Sequence, residues 1–208
     1  AEGARRHLAS YEGGEADAMI TIDKSMTIRS RRPGKAILDG QYAQRVIEIR
    51  KAVDNSEIVV HLQGLQVTNG KSPTEDGGGG IFIAHDFIGT IVIEGCDIHH
   101  NTAIAQNGGG VCVGSGNSTF AGTIQFVDCH IYSNRARGVY GGGVAVMASL
   151  SGDGSILFQG TDIFSNEVIG YGGGLAVGVP QQAVPNTTGI TTVHGCKIHD
   201  NKALYGAG

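Results

Sequence analysis

The chain has 208 residues with a formal net charge of −4; charged residues make up 16%, aromatics 6%, and tryptophan is absent. Glycine occurs 35 times, about 17% against the ~7% usual in globular proteins, so the excess needs a structural cause. No basic footprint for nucleic acid is present, glycine does not recur at every third position as in collagen, and frequent Val/Ile pairs argue against a disordered linker. No apolar run approaches the ~20 residues that span a bilayer, and the opening AEGARRHLAS has no apolar h-region, so neither a membrane span nor a signal peptide is expected here.

Residues 1–17 are too polar to assign. A first coil follows, read from three runs of alternating apolar and polar residues: Ile20-Thr21-Ile22, Met26-Thr27-Ile28 and Ala36-Ile37-Leu38. Val46 to Ile49, Ile58-Val59-Val60 and Leu65-Gln66-Val67 supply a second. From Gly78 onward the pattern becomes regular. GGGIFI precedes IVIEGCDIHHN, GGGVCV precedes IQFVDCHIYSN, GGGVAV precedes ILFQGTDIFSN, and GGGLAV precedes TTVHGCKIHDN. Taking Asn69, Asn101, Asn134, Asn166 and Asn201 as the closing residues, the steps are 32, 33, 32 and 35 residues.

A period of two means strands, and no helical spacing of 10 to 12 residues is found. Three strands per repeat of this length describe the coil of a right-handed, single-stranded parallel β-helix rather than a four-stranded propeller blade. The count is six coils and the start of a seventh, a rod of roughly 30 Å at ~4.8 Å per coil. Because the chain lacks an initiator Met and stops within a coil, residues 18–208 are expected to be a fragment of a longer protein.

In a solenoid each alignment column becomes a ladder of stacked side chains. Val67, Ile98, Ile131, Ile163 and Ile198 form one inward column, and Leu65, Cys96, Cys129, Thr161 and Cys196 a second. The five asparagines are expected to form an amide ladder at a tight bend. Each glycine triplet marks a turn; none is followed by Lys-Ser/Thr or a helix start, which opposes a phosphate loop. Cys96 and Cys129, one coil apart, are close enough for a disulfide, but small buried thiols are the favoured reading; the cysteine spacing fits no CxxC zinc site.

The GGG-aliphatic and Ile-x-x-Asn motifs resemble the GGA(I/L/V) and FxxN repeats of polymorphic outer-membrane autotransporter proteins. The stretch from ITIDKSMTIRS through AILDG and GLQVTNG is similar to the N-terminal part of the wider pectate-lyase-like β-helix superfamily. These resemblances cover about residues 18–208. They imply a secreted or cell-surface location, and a superfamily that holds both enzymes and non-enzymatic adhesins.

Outward columns of the third strand read Gln66, Asp97, His130, Asp162, Lys197 and Thr68, His99, Tyr132, Phe164, His199. The central patch, Asp97, His99, His130, Tyr132, Asp162 and Phe164, is the candidate ligand-binding face for a sugar chain. Asp97 and Asp162 lie two coils apart, a Cα separation of roughly 9–10 Å, at the upper end of the ~6.5–9.5 Å carboxyl spacing of inverting glycosidases. That makes Asp97, His130 and Asp162 the catalytic alternative, but charges alternating down a ladder also relieve like-charge stacking without chemistry. A metal site of Asp97, His99, His130 and His100 lacks any local ligand spacing, and no cofactor is expected.

The first sheet's outward column, Phe82, Cys112, Ala145 and Ala176, is expected to form a smooth, weakly polar face suited to a second copy, by lateral or end-to-end self-association, to the remainder of a longer chain or to a regular carbohydrate, although small residues there also follow from tight turns alone. Long loops at residues 114–122, 147–155 and 178–189 fall on one edge and carry sequons at Asn117 and Asn186. No Thr-rich column supports ice binding. The expected function is a non-catalytic surface module, a rigid spacer or adhesin-like binder of proteins or glycans. The alternative is a polysaccharide lyase, glycoside hydrolase or epimerase acting on the third-strand face.

Overall fold

The computed structural model describes residues 18–32, 36–72, 76–116, 118–178 and 188–206. Among these residues every strand pairing is parallel and no helix occurs, so the chain is a parallel β-solenoid. Its first sheet stacks Ala18–Ile22, Arg45–Ile49, Ile81–Ile83, Val111–Val113, Val144–Val146 and Leu175–Val177. The second stacks Met26–Arg29, Ile58–Gln63, Gly89–Glu94, Thr123–Val127, Ser155–Gln159 and Ile190–His194. The third stacks Ala36–Asp39, Leu65–Thr68, Asp97–His99, His130–Tyr132, Asp162–Phe164 and Lys197–His199. Six rungs in each sheet make five full rises from first to last.

The core follows from the period-two pattern. Alternate side chains of the three sheets converge on one axis, where Ile91, Ile124 and Ile156 stack on successive rungs of the second sheet and Ile98, Ile131 and Ile163 on the third. Phe126 and Phe158 lie nearly parallel at 4.8 Å between ring centroids, so the aromatic column also obeys the ladder rule.

Asparagine closes the third strand as expected, and four residues form the ladder. Asn101, Asn134 and Asn166 each donate from Nδ2 to the Oδ1 of the asparagine one rung on, all at 3.0 Å. The same Oδ1 accepts the preceding rung's backbone N–H, and Nδ2 also reaches a carbonyl such as Ile98 O at 2.8 Å. Each side chain thus satisfies backbone groups that the bend would otherwise leave unpaired.

Asn69 is not a member. The register pairs Thr68 with His99, so Gly70 occupies the ladder position and its N–H donates to Asn101 Oδ1 at 2.8 Å. Asn69 falls one place earlier, in a left-handed column at φ +53° shared with His100, Ser133, Ser165 and Asp200. Its amide bonds Asp39 instead. Asparagine tolerates that backbone region, which is why the chain could place it there.

Immediately past the bend the chain adds a fourth sheet: Lys71–Ser72, Thr102–Ala103, Arg135–Ala136 and Glu167–Val168. Three strands per coil was therefore an undercount. Small residues make this sheet fit, since Ala103, Ala136 and Val168 form their own buried cluster with Ala203 packed against it.

A glycine triplet then returns the chain to the first sheet, and each member has its own reason. Gly141 sits at φ +63°, a Cβ on Gly142 would lie 2.5 Å from Gly173 O, and one on Gly143 would lie 2.6 Å from Gly174 O. The turn folds over the first sheet's outward side, so the expected open face is covered except at Ala176 in the last strand, which is part-exposed. Phe82, Cys112 and Ala145 are buried, and a Cβ on Gly77 would lie 3.2 Å from Cys112 Sγ. Near the start of this covered strip the buried Arg45 guanidinium lies 4.7 Å from the Phe82 ring centre, donates to Gly77 O and Gly78 O, and faces Glu48 at 3.6 Å.

Loop residues Thr119–Phe120 and Ser149–Leu150 pair with each other, placing the first two long loops on one edge. Asn117, Asn186 and most of the third loop lie outside the described residues.

Candidate functional site

Register brings the residues singled out on the third strand into two outward columns. Asp97 pairs with His130 and His130 with Asp162, while His99, Tyr132 and Phe164 occupy successive rungs beside them. The chemistry that results is dominated by contacts along the stack.

In the first column, His130 Nδ1 lies 3.0 Å from Asp97 Oδ1 and Lys197 Nζ lies 3.9 Å from Asp162 Oδ2. Both carboxylates of the catalytic alternative therefore have a basic neighbour, and an imidazole stands between them. In the second column, four rings stack almost in parallel. His99 and Tyr132 are 4.8 Å apart at 14°, Tyr132 and Phe164 5.0 Å at 6°, and Phe164 and His199 5.4 Å at 4°. Interior ring faces are consumed by neighbouring rings, so the strip presents ring edges outward.

At its upper end, Thr68 Oγ1 lies 3.2 Å from His99 Nδ1, which in turn lies 2.7 Å from His100 Nδ1. Partial burial pushes the His99 pKa down, and the nearby His100 adds to that while Asp97 opposes it. A neutral His99 suits a ring packed between Thr68, His100 and Tyr132. Burial likewise pushes the Tyr132 hydroxyl up, helped by Asp97.

Among the described residues no three His, Cys, Asp or Glu side chains converge to hold a metal ion, including Asp97, His99, His100 and His130. Surface hollows lie elsewhere, one beside Asp23, Asp54 and Glu57 and another beside Tyr140, Tyr171 and Leu175. All four cysteines are free thiols, so Cys96 and Cys129 are not bridged. Burial pushes Cys112 and Cys129 up to about 12, in keeping with inert packing groups.

Sequence reasoning missed the outward side of the fourth sheet. Its first column runs Lys71, Thr102, Arg135, Glu167, and Lys202 continues it through a backbone β-bridge opposite Glu167. Beyond it lies a stack of tyrosines, Tyr140, Tyr171 and Tyr205, at 5.7 and 4.8 Å. The available signal was the recurrence of a polar residue and then a small one directly after each ladder asparagine: Thr-Ala, Arg-Ala, Glu-Val and Lys-Ala.

Compared with known protein families, curated proteins and solved structures, the chain finds no match.

Proposed function

We propose that this chain is a non-catalytic, rigid β-helical module of a secreted or cell-surface protein, acting as a spacer or adhesin-like binder of protein or glycan surfaces. The observation that carries the reading is the state of the third-sheet face. Asp97 is bonded to His130 and Asp162 sits beside Lys197, so each carboxylate that an inverting hydrolase would need is engaged along the ladder. A saccharide laid on this face would meet Asp97, His99, His130, Tyr132, Asp162 and Phe164 chiefly at their edges. The GGG-aliphatic and Ile-x-x-Asn repeats, similar to those of polymorphic outer-membrane autotransporters, add support for the surface location.

The polysaccharide-active alternative rests on one observation, that Asp97, His130 and Asp162 occupy consecutive rungs of one column. Incubation with polyuronates and neutral glycans separates the two. Binding or inertness without turnover is expected. Turnover abolished by Asp97→Asn and Asp162→Asn would overturn the module reading.

A further inference from the structure

Lys71 and Arg135 in the fourth sheet, with Arg137 and Lys202 flanking its strands, make four cations against one carboxylate, Glu167, among the described residues of those strands, on a chain whose net charge is −4. Glu167 is already 3.6 Å from Arg135. Among the described residues, Lys71, Arg137 and Lys202 have no carboxylate within ion-pair distance. Lys71 and Arg137 share a hollow of about 340 Å³ with Tyr42, Thr102 and Ile104, and among the described residues no acidic side chain lines it. It offers two positive charges, two hydroxyls and one aliphatic side chain.

The surface continues from that hollow along the rod. Extending the pairing of Ala136 with Val168 by one residue places Ile169 one rung from Arg137, and Ile169 is 56% exposed. Val139 is 47% exposed and Leu204 72%. Val139 follows the third strand of the fourth sheet, so its exposure is not an effect of the last rung, while Ile169 follows the last strand, which only the Glu167–Lys202 backbone bridge extends. Isolated exposed aliphatics need no explanation, but a group of them beside cations with no ion-pair partner among the described residues marks a contact surface.

The tyrosines decide what kind of partner fits. A sugar ring packs on an aromatic face, and here the facing surfaces of Tyr140, Tyr171 and Tyr205 are turned toward one another. Aliphatic side chains and tyrosine edges suit another protein surface, while the surplus of cations among the described residues selects carboxylates.

We infer that the outward side of the fourth sheet is a docking surface for a protein partner carrying an acidic and apolar segment, with a carboxylate seated between Lys71 and Arg137 and apolar side chains against Val139 and Ile169. This rests on the binding-module reading and gives it a partner class and a location. The contact is partly electrostatic, so it weakens as salt screens it.

The test is to pan a random peptide display library on the full chain and measure selected peptides by fluorescence polarisation. Expected are peptides that combine Asp or Glu with apolar residues. Their affinity should fall at least tenfold in Arg137→Glu and in Ile169→Asp, fall with added NaCl, and stay unchanged in Arg29→Glu, a charge-matched change on the distant second sheet. Circular dichroism of each variant verifies the fold. Failure to select peptides, selection of basic ones, or indifference to Arg137→Glu would overturn the inference. So would an acidic glycan that binds with the same Arg137 dependence, or self-association that Arg137→Glu abolishes, since either names a different occupant. Turnover assays test the module reading separately, so either result can fail alone.

Discussion

The outward sides of the third and fourth sheets are built on the same stacked register, yet they treat their polar groups in opposite ways. On the third, imidazole meets carboxylate, ammonium meets carboxylate, and rings cover rings, so neighbouring rungs satisfy one another. On the fourth, the column runs Lys71, Thr102, Arg135, Glu167 and Lys202, with one acid, paired to Arg135, among the three cations, and aliphatic side chains stand in solvent. A ladder that satisfies itself contributes to the rod; one that leaves charge and apolar area open has something to offer a partner.

The residue that separates the two sheets should carry the largest effect. Asn134→Ala removes a side chain that accepts from Asn101 N and Nδ2 and donates to Ile98 O and Asn166 Oδ1, stranding buried groups in two rungs. A loss of about 3 kcal/mol is expected by urea denaturation, with Asn69→Ala costing far less because Asn69 lies outside the ladder.

Alkaline titration probes the thiols. Cys129 lies in the third sheet's inward column and Cys112 beneath the turn over the first sheet, and burial pushes both up to about 12. The unfolded chain deprotonates near pH 8.5–9 while the folded one stays protonated, so the folded state binds more protons and stability falls as pH rises. The expected loss is roughly 1.4 kcal/mol per thiol by pH 10, read as a denaturation midpoint that drops between pH 8 and 10 and drops less in Cys129→Ala.

Tyr132→Ala opens the middle of the third-sheet ring stack, where Tyr132 touches both His99 and Phe164. A cost of about 1–2 kcal/mol is expected from the two lost ring pairs. By contrast Arg137→Ala, across the bend, should change stability by less than about 0.5 kcal/mol, because no ion pair supports Arg137 among the described residues. Equal costs for the two substitutions would erase the distinction between the faces.

Much of the fold was legible because each repeat writes the same columns. The sheets, the inward Ile ladder and the asparagine bend follow from a period near 32 and a pattern of two. Two features were hidden for physical reasons. Asn69 matched the repeat length but not the register, because the earlier coil places glycine at the bend and asparagine in the left-handed position before it. The fourth sheet uses strands of two residues, too short to show alternation, although Ala103, Ala136 and Val168 marked its buried side. The candidate third-sheet residues were placed correctly side by side. What the sequence could not show was how fully they pair with one another, nor that the glycine turns would bury Phe82 and Cys112.

Isoleucine methyl spectra can test the contrast between the faces in one titration. Ile104 and Ile169 report on the fourth sheet, and Ile37, 58% exposed at the start of the third, serves as the reference. On adding a selected acidic–apolar peptide, the Ile104 and Ile169 methyl signals should move together while Ile37 stays fixed. Movement of Ile37 with Ile104 and Ile169 unchanged would contradict the account.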